Sequence, residues 1–212
     1  MDLCLMTAKK ALILTFLCGA LTACASKPAS NYYSLVPLTA EQGSITRAPV
    51  KFAINVQPVV IPVQVDRPQI VLTDPDSTQV MLLNSSLWSG PLADEIRSTL
   101  ARDLADQLGT IDMPITGASE KQPFWKVNVL VQRFESIYGK RAVLEATWRL
   151  SPVNVAKRQQ LACRAVLSTT VGEGMSALVS GQQKNLLDLS SIIASQLRGG
   201  KPTADSRVNN CT

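Results

Sequence analysis

The run Val127-Asn128-Val129-Leu130-Val131-Gln132, leading into Phe134, and the run Leu144-Glu145-Ala146-Thr147-Trp148-Arg149-Leu150 decide the fold. Apolar residues recur in both at every second position, the period of a strand with one buried face. Gly139-Lys140 lies between the runs, so they read as a hairpin, and Leu161 to Val171 supplies a third strand. Helical patterns flank this group on both sides. Leu92, Ile96, Leu100, Leu104 and Leu108 repeat every four residues with Ala93, Ala101 and Ala105 beside them. For that helix Gly90 or Ser89 is expected to cap, Pro91 to take the first helical position, Asp94 and Glu95 to sit against the amino-terminal dipole, and Gly109 to stop it. The second helix is expected from about Ser176 to Arg198 on the spacing of Val179, Leu186, Leu189, Ile193 and Leu197, with Gly181 weakening its first half and Gly199-Gly200 ending it.

Upstream, Tyr32 to Val36 reads as a short strand ending at Pro37, and Thr39 to Pro49 as loop. Phe52, Ile54 and Val56 alternate with Ala53, Asn55 and Gln57, a half-buried strand. Pro58 and Pro62 confine the next residues to an edge or an irregular extended segment. Ile70-Val71-Leu72 and Val80 to Leu83 flank Asp74-Pro75-Asp76-Ser77, whose chemistry is that of a turn, so this stretch reads as a hairpin. Strands, helix, three strands, helix is the order of an α+β fold: a mixed, mostly antiparallel sheet with two long helices packed on one face.

Lys9 and Lys10 precede an apolar run from Ala11 to Ala20, and Leu21-Thr22-Ala23-Cys24 comes directly after it. Charged, apolar and cleavage regions in that order make residues 1–23 a signal peptide, too short to span a bilayer. Met6 gives a cleaner start than Met1, whose Asp2 opposes the positive region. The Leu-small-small-Cys pattern resembles the recognition sequence of lipoprotein signal peptidase, so cleavage between Ala23 and Cys24 and a lipid on the Cys24 thiol are expected. The alternative is an ordinary secreted protein with a chance cysteine. Ala25 and Ser26 come after Cys24 in place of the Asp that resembles an inner-membrane retention signal, so the periplasmic face of the outer membrane is the expected address. Residues 24–31 form a lipidated tether, 32–198 the domain and 199–212 a tail.

Removing the leader leaves 189 residues, enough for one well-cored domain, with a net charge of +4 and no basic run beyond Lys140-Arg141 and Lys157-Arg158. Nucleic acid is a poor partner for such a surface. Cys24, Cys163 and Cys211 remain. With Cys24 alkylated, Cys163 and Cys211 are left to pair in an oxidising compartment; the alternative is a buried Cys163 and a free Cys211 on a frayed end. The chain contains no histidine, and neither a phosphate-cradling nor a dinucleotide-binding glycine pattern. Asp74 and Asp76 read as a solvated turn rather than a metal or acid–base pair. No enzyme, metal or cofactor is expected.

The text Asn84-Ser85-Ser86-Leu87-Trp88-Ser89-Gly90-Pro91-Leu92, with Arg97-Ser98-Thr99-Leu100 beyond it, resembles the paraquat-inducible protein C family of ABC-type transport auxiliary lipoproteins. Further matches are Tyr32-Tyr33, Asp66-Arg67-Pro68, Phe134-Glu135 and Leu189 to Ala194. Gln64-Val65 departs from the aromatic and Leu that the family often carries, and the tail with Cys211 lies beyond the resemblance. It implies a non-catalytic subunit, in a homo-oligomeric ring, that receives the far end of an MCE-domain (mammalian cell entry) periplasmic channel, with a permease or ATPase acting indirectly from the inner membrane. The proline-punctuated apolar segment from Val56 to Val71 is the expected shared surface; its alternative is an internal hairpin over the core. Competing classes are a pilotin-like assembly lipoprotein and a monomer with a hydrophobic-ligand cleft. A gene neighbour encoding an MCE protein would favour the first.

Overall fold

A computed structural model describes residues 29–37, 48–113, 122–201 and 205–212. The leader, Cys24, most of the tether and most of the loop expected after Pro37 lie outside the described residues. The strands are β1 (Asn31–Tyr33), β2 (Ala53–Val56), β3 (Gln69–Thr73), β4 (Val80–Trp88), β5 (Phe124–Ile137), β6 (Arg141–Val153), β7 (Leu161–Thr170) and β8 (Val208–Cys211); α1 (Leu92–Leu108) comes after β4 and α2 (Met175–Leu197) after β7. They form the expected α+β fold, with the strands divided between a five-stranded sheet ordered β2-β5-β6-β7-β8 and a three-stranded sheet ordered β1-β4-β3. Among the pairs of these named strands, β2 against β5 and β1 against β4 are parallel and the others antiparallel.

Alternation builds the core of the large sheet. Val127, Val129 and Val131 of β5 stand opposite Leu150, Trp148 and Ala146 of β6, and all six are buried. An irregularity between Val131 and Arg133 leaves Gln132 and Arg133 both exposed and returns Phe134 to the interior, the work of a β-bulge. Ile96, Leu100, Leu104 and Leu108 of α1 and Leu186, Leu189, Ile193 and Leu197 of α2 close the same hydrophobic cluster. At the far side of the sheet Lys126, Asn128, Leu130, Gln132, Arg149 and Arg164 remain exposed.

Three details depart from the sequence reading. Pro91 stands at the cap rather than the first helical position, and its carbonyl accepts from the amides of Asp94 and Glu95, both at 3.0 Å. Gly181 does not interrupt α2. It is buried where a Cβ would run into Val171 Cγ1 and lie 3.1 Å from Ala142 Cβ, so its missing side chain lets helix and sheet approach. The segment expected as tail ends in β8, which pairs antiparallel with β7. Cys163 and Cys211 face each other across that pair and are disulfide-bonded, and Arg207 ties the approach to β8 onto Asp188 of α2 at 2.8 Å.

Polar side chains fasten α2 to the sheet. Gln182 Nε2 donates to Glu135 O (2.8 Å), Asn185 Nδ2 to Ala142 O (3.1 Å), and Trp148 Nε1 to Gln196 Oε1 (2.8 Å). These are buried groups with partners, which fix one orientation of the helix where apolar contact alone would let it slide.

Candidate functional site

The residues singled out by sequence converge on one junction. Tyr32 and Tyr33 lie beside Leu87 and Trp88 in the β1–β4 register. The Trp88 amide donates to Pro68 O and the Ser89 amide to Tyr33 O, each at 2.8 Å, so Asp66-Arg67-Pro68 is drawn to the same place. Trp88 meets Phe134 edge-on with ring centroids 6.1 Å apart, and Leu92 is fully buried below it. Glu95 completes the junction: its Oε2 accepts from Ser34 Oγ (2.7 Å) and the Leu35 amide (2.9 Å), and its Oε1 from Ser89 Oγ. The sequence showed Glu95 only as a charge at a helix start. Its bridging role depends on Ser34, some sixty residues away, which no local pattern reports. This constellation locks the small sheet to α1.

Val56 to Val71 proves mixed. Val56, Val59, Ile70 and Val71 are buried, whereas Val60 and Val63 are 59% and 80% exposed. The reason is local: Val60 hydrogen-bonds alongside Val129 and Val131 and then Pro62 begins a turn, with Val65 and Asp66 amides donating to Pro62 O. Val60 pairs with Leu130, itself 44% exposed on the helix-free face of the large sheet. Ile70 belongs to the core rather than to a shared surface.

That helix-free face is charged as well as apolar. Glu145, only 4% exposed, accepts from Arg164 Nη2 and from Arg133 Nη1, the second at 3.4 Å, and Arg133 also grips Glu135 with two bonds of 2.9 and 2.7 Å. Its bonds to Glu135 raise the pKa of Arg133 above the usual guanidinium value. The ladder crosses β5, β6 and β7.

A second exposed apolar cluster escaped the sequence reading. Val80, Met81 and Leu82 at the start of β4 are 57%, 61% and 42% exposed, and Tyr138 in the β5–β6 turn is 47% exposed. Between the two turns lies a cleft of about 380 Å³, walled by Leu72, Val80, Met81, Ile137, Tyr138 and Lys140. Val80 to Leu83 reads as a short strand in sequence, and nothing local tells a strand's buried face from a face left bare. Among the described residues no three histidine, cysteine, aspartate or glutamate side chains cluster as a metal site would require, and no helix is long and apolar enough to cross a membrane.

A family model described as the ABC-type transport auxiliary lipoprotein component matches residues 33–194, from β1 into the last turns of α2. The chain belongs to that family. A lipoprotein family implies anchoring at the cell envelope, and an auxiliary transport component is not a known enzyme class. Solved structures agree on the fold of this auxiliary lipoprotein. An uncharacterized protein superposes with a TM-score of 0.62 at 20% identity, covering 80% of this chain and 99% of its own. A DUF330 protein from Xanthomonas campestris gives 0.53 at 14% identity, covering 81% and 94%. No curated protein matches the sequence significantly.

Proposed function

We propose that this auxiliary lipoprotein is held by Cys24 to the periplasmic face of the outer membrane and serves there as the non-catalytic subunit of an MCE-type intermembrane lipid transport system. In this reading it forms a homo-oligomeric ring that docks the end of an MCE-domain channel, and energy enters from a permease or ATPase in the inner membrane. The observation that carries the reading is the family match across nearly the whole domain. The geometry supports it, because the family's residues build a rigid junction and leave two apolar surfaces bare. Val60 with its neighbour Leu130, and Val63 three residues along the chain from Val60, are what we assign to the channel protein. They are apolar, exposed and set beside the Arg133–Glu145–Arg164 ladder, so a partner would meet an apolar centre with a charged rim.

The test is photo-crosslinking in the intact envelope from a probe at Val63, with a probe at Gln160 in the β6–β7 turn as the control. The Val63 probe is expected to capture an MCE-domain protein and the control to capture none. Density fractionation of the same cells should place the lipoprotein with outer-membrane markers, and Cys24→Ser should leave unprocessed precursor or a soluble periplasmic form. Capture of no MCE protein from either position would overturn the transport reading.

A further inference from the structure

Asn31 of β1 stands opposite Ser86 of β4, and the two strands are parallel. Ala29 and Ser30, ahead of Asn31, therefore lie toward the end of β4 that holds Val80. Among the described residues β1 flanks only Ser86 to Trp88, so the first two-thirds of β4 has a neighbour, β3, on one side alone. Six residues lie between Cys24 and Asn31, so seven Cα-to-Cα steps join them. At no more than ~3.6 Å each, they keep a lipid on Cys24 within about 25 Å of β1. The length of β4 from Ser86 back to Val80 is about 20 Å. Val80 thus lies within the anchor's reach.

The residues at that end of the molecule are unusual for a surface facing water. Val80, Met81 and Leu82 are three successive exposed apolar residues, although a strand lying on its own core hides every second one. Tyr138 stands across the cleft, its hydroxyl accepting from the Gly174 amide at 3.1 Å, and Lys140 and Arg141 come next with their heads in solvent. Apolar side chains beside a tyrosine and long-stemmed cations are the composition of a membrane interface, where rings lie at headgroup level and cations reach outward. Asp74, Asp76 and Glu173 rim the same end, and Lys140 Nζ lies 3.6 Å from Asp76. With charges of both signs there, the contact is apolar rather than electrostatic.

We propose that this end of the domain lies on the lipid surface, with Val80, Met81 and Tyr138 entering the interface beside the anchored Cys24. The inference rests on the proposed lipid anchor at Cys24. It adds a second, non-covalent membrane contact that sets which way the domain faces. The β6–β7 turn, at the other end of β6 and about 40 Å away, then points into the periplasm.

The experiment uses the mature lipoprotein, in which Cys24 carries lipid and Cys163 and Cys211 are bonded, so that Met81→Cys and Gln160→Cys each provide one free thiol for a polarity-sensitive fluorophore. The labelled proteins are reconstituted on vesicles of phosphatidylethanolamine and phosphatidylglycerol, with and without nitroxide-bearing acyl chains. The probe at position 81 should shift to the blue and be quenched several-fold more than the probe at 160, and the quenching should persist at high salt. If the protein floats with the vesicles and both probes read as aqueous, the inference is overturned while the anchor stands. A position-81 probe that shifts to the blue but escapes the nitroxides would place protein there, a second copy or a partner, and would overturn it equally. Failure to float would overturn the anchor and this inference together.

Discussion

The five-stranded sheet and the three-stranded sheet use the same residue types to opposite ends. Inward positions of β5, β6 and β7 are filled by valine, leucine and tryptophan and sealed by two helices, and the outward positions carry lysine, asparagine, glutamine and arginine. In the small sheet β4 begins with valine, methionine and leucine turned to solvent and only becomes buried at Ser86 and Trp88. The molecule thus spends its apolar surface in two ways. The inner face of the large sheet folds the chain, while one end of the small sheet, like Leu130 on the large sheet's outer face, is left bare.

Four substitutions probe that contrast. The largest effect is expected where one segment serves both regions: Ile70→Lys places an ammonium in the core and should cost several kcal/mol, enough to unfold the domain, whereas Val60→Lys should melt within about 0.5 kcal/mol of wild type. Thermal melts of the two variants read this directly; equal losses would mean that the segment is core throughout. Next is Cys163→Ser, which opens a closed loop spanning 48 positions. The chain-entropy model gives about 4 kcal/mol as its upper bound, and β8 should lose hydrogen-exchange protection before β5 and β6 do. Gly181→Ala is expected to cost about 1–3 kcal/mol, because the new methyl meets Val171 and Ala142 at the closest approach of α2 to the sheet; denaturant midpoints measure it.

The smallest effect concerns pH. Burial pushes the carboxyl of Asp103 up to about 6, with Arg102 opposing and Asp106 reinforcing the shift. Because the folded pKa exceeds the unfolded one, the native state holds the extra proton between about pH 4 and 6, and stability from this group falls as pH rises through that window. Asp103→Asn should therefore be more stable than wild type by about 1 kcal/mol at pH 7, allowing for solvent screening, and the two should converge near pH 4. Urea titrations at the two pH values check the sign.

Much of the large sheet could be read in advance because period-two and period-four patterns report burial against a neighbour that is local in sequence or supplied by the next element. Val127, Val129 and Val131 on one side and Leu144, Ala146 and Trp148 on the other needed only each other. The rest depended on partners far along the chain. Glu95 gains its role from Ser34, Gly181 from Val171 and Ala142, and Val208 to Cys211 becomes a strand only because β7 has a free edge. Proline-broken Val56 to Val71 has no period at all, so its buried and exposed valines look alike until Val60 is seen beside Leu130. The bare end of β4 was hidden for a similar reason, since an apolar strand facing lipid and one facing a core share one pattern.

Amide hydrogen exchange on the mature lipoprotein, alone, on vesicles, and on vesicles with the proposed MCE-domain protein added, puts both assigned surfaces to the test at once. We expect slowed exchange at residues 72–82 and 137–141 on vesicles, further slowing at residues 57–65 when the partner is added, and no change in the centre of β6. Exchange that is the same in all three states would contradict the claim that these surfaces, rather than a catalytic site, do the protein's work.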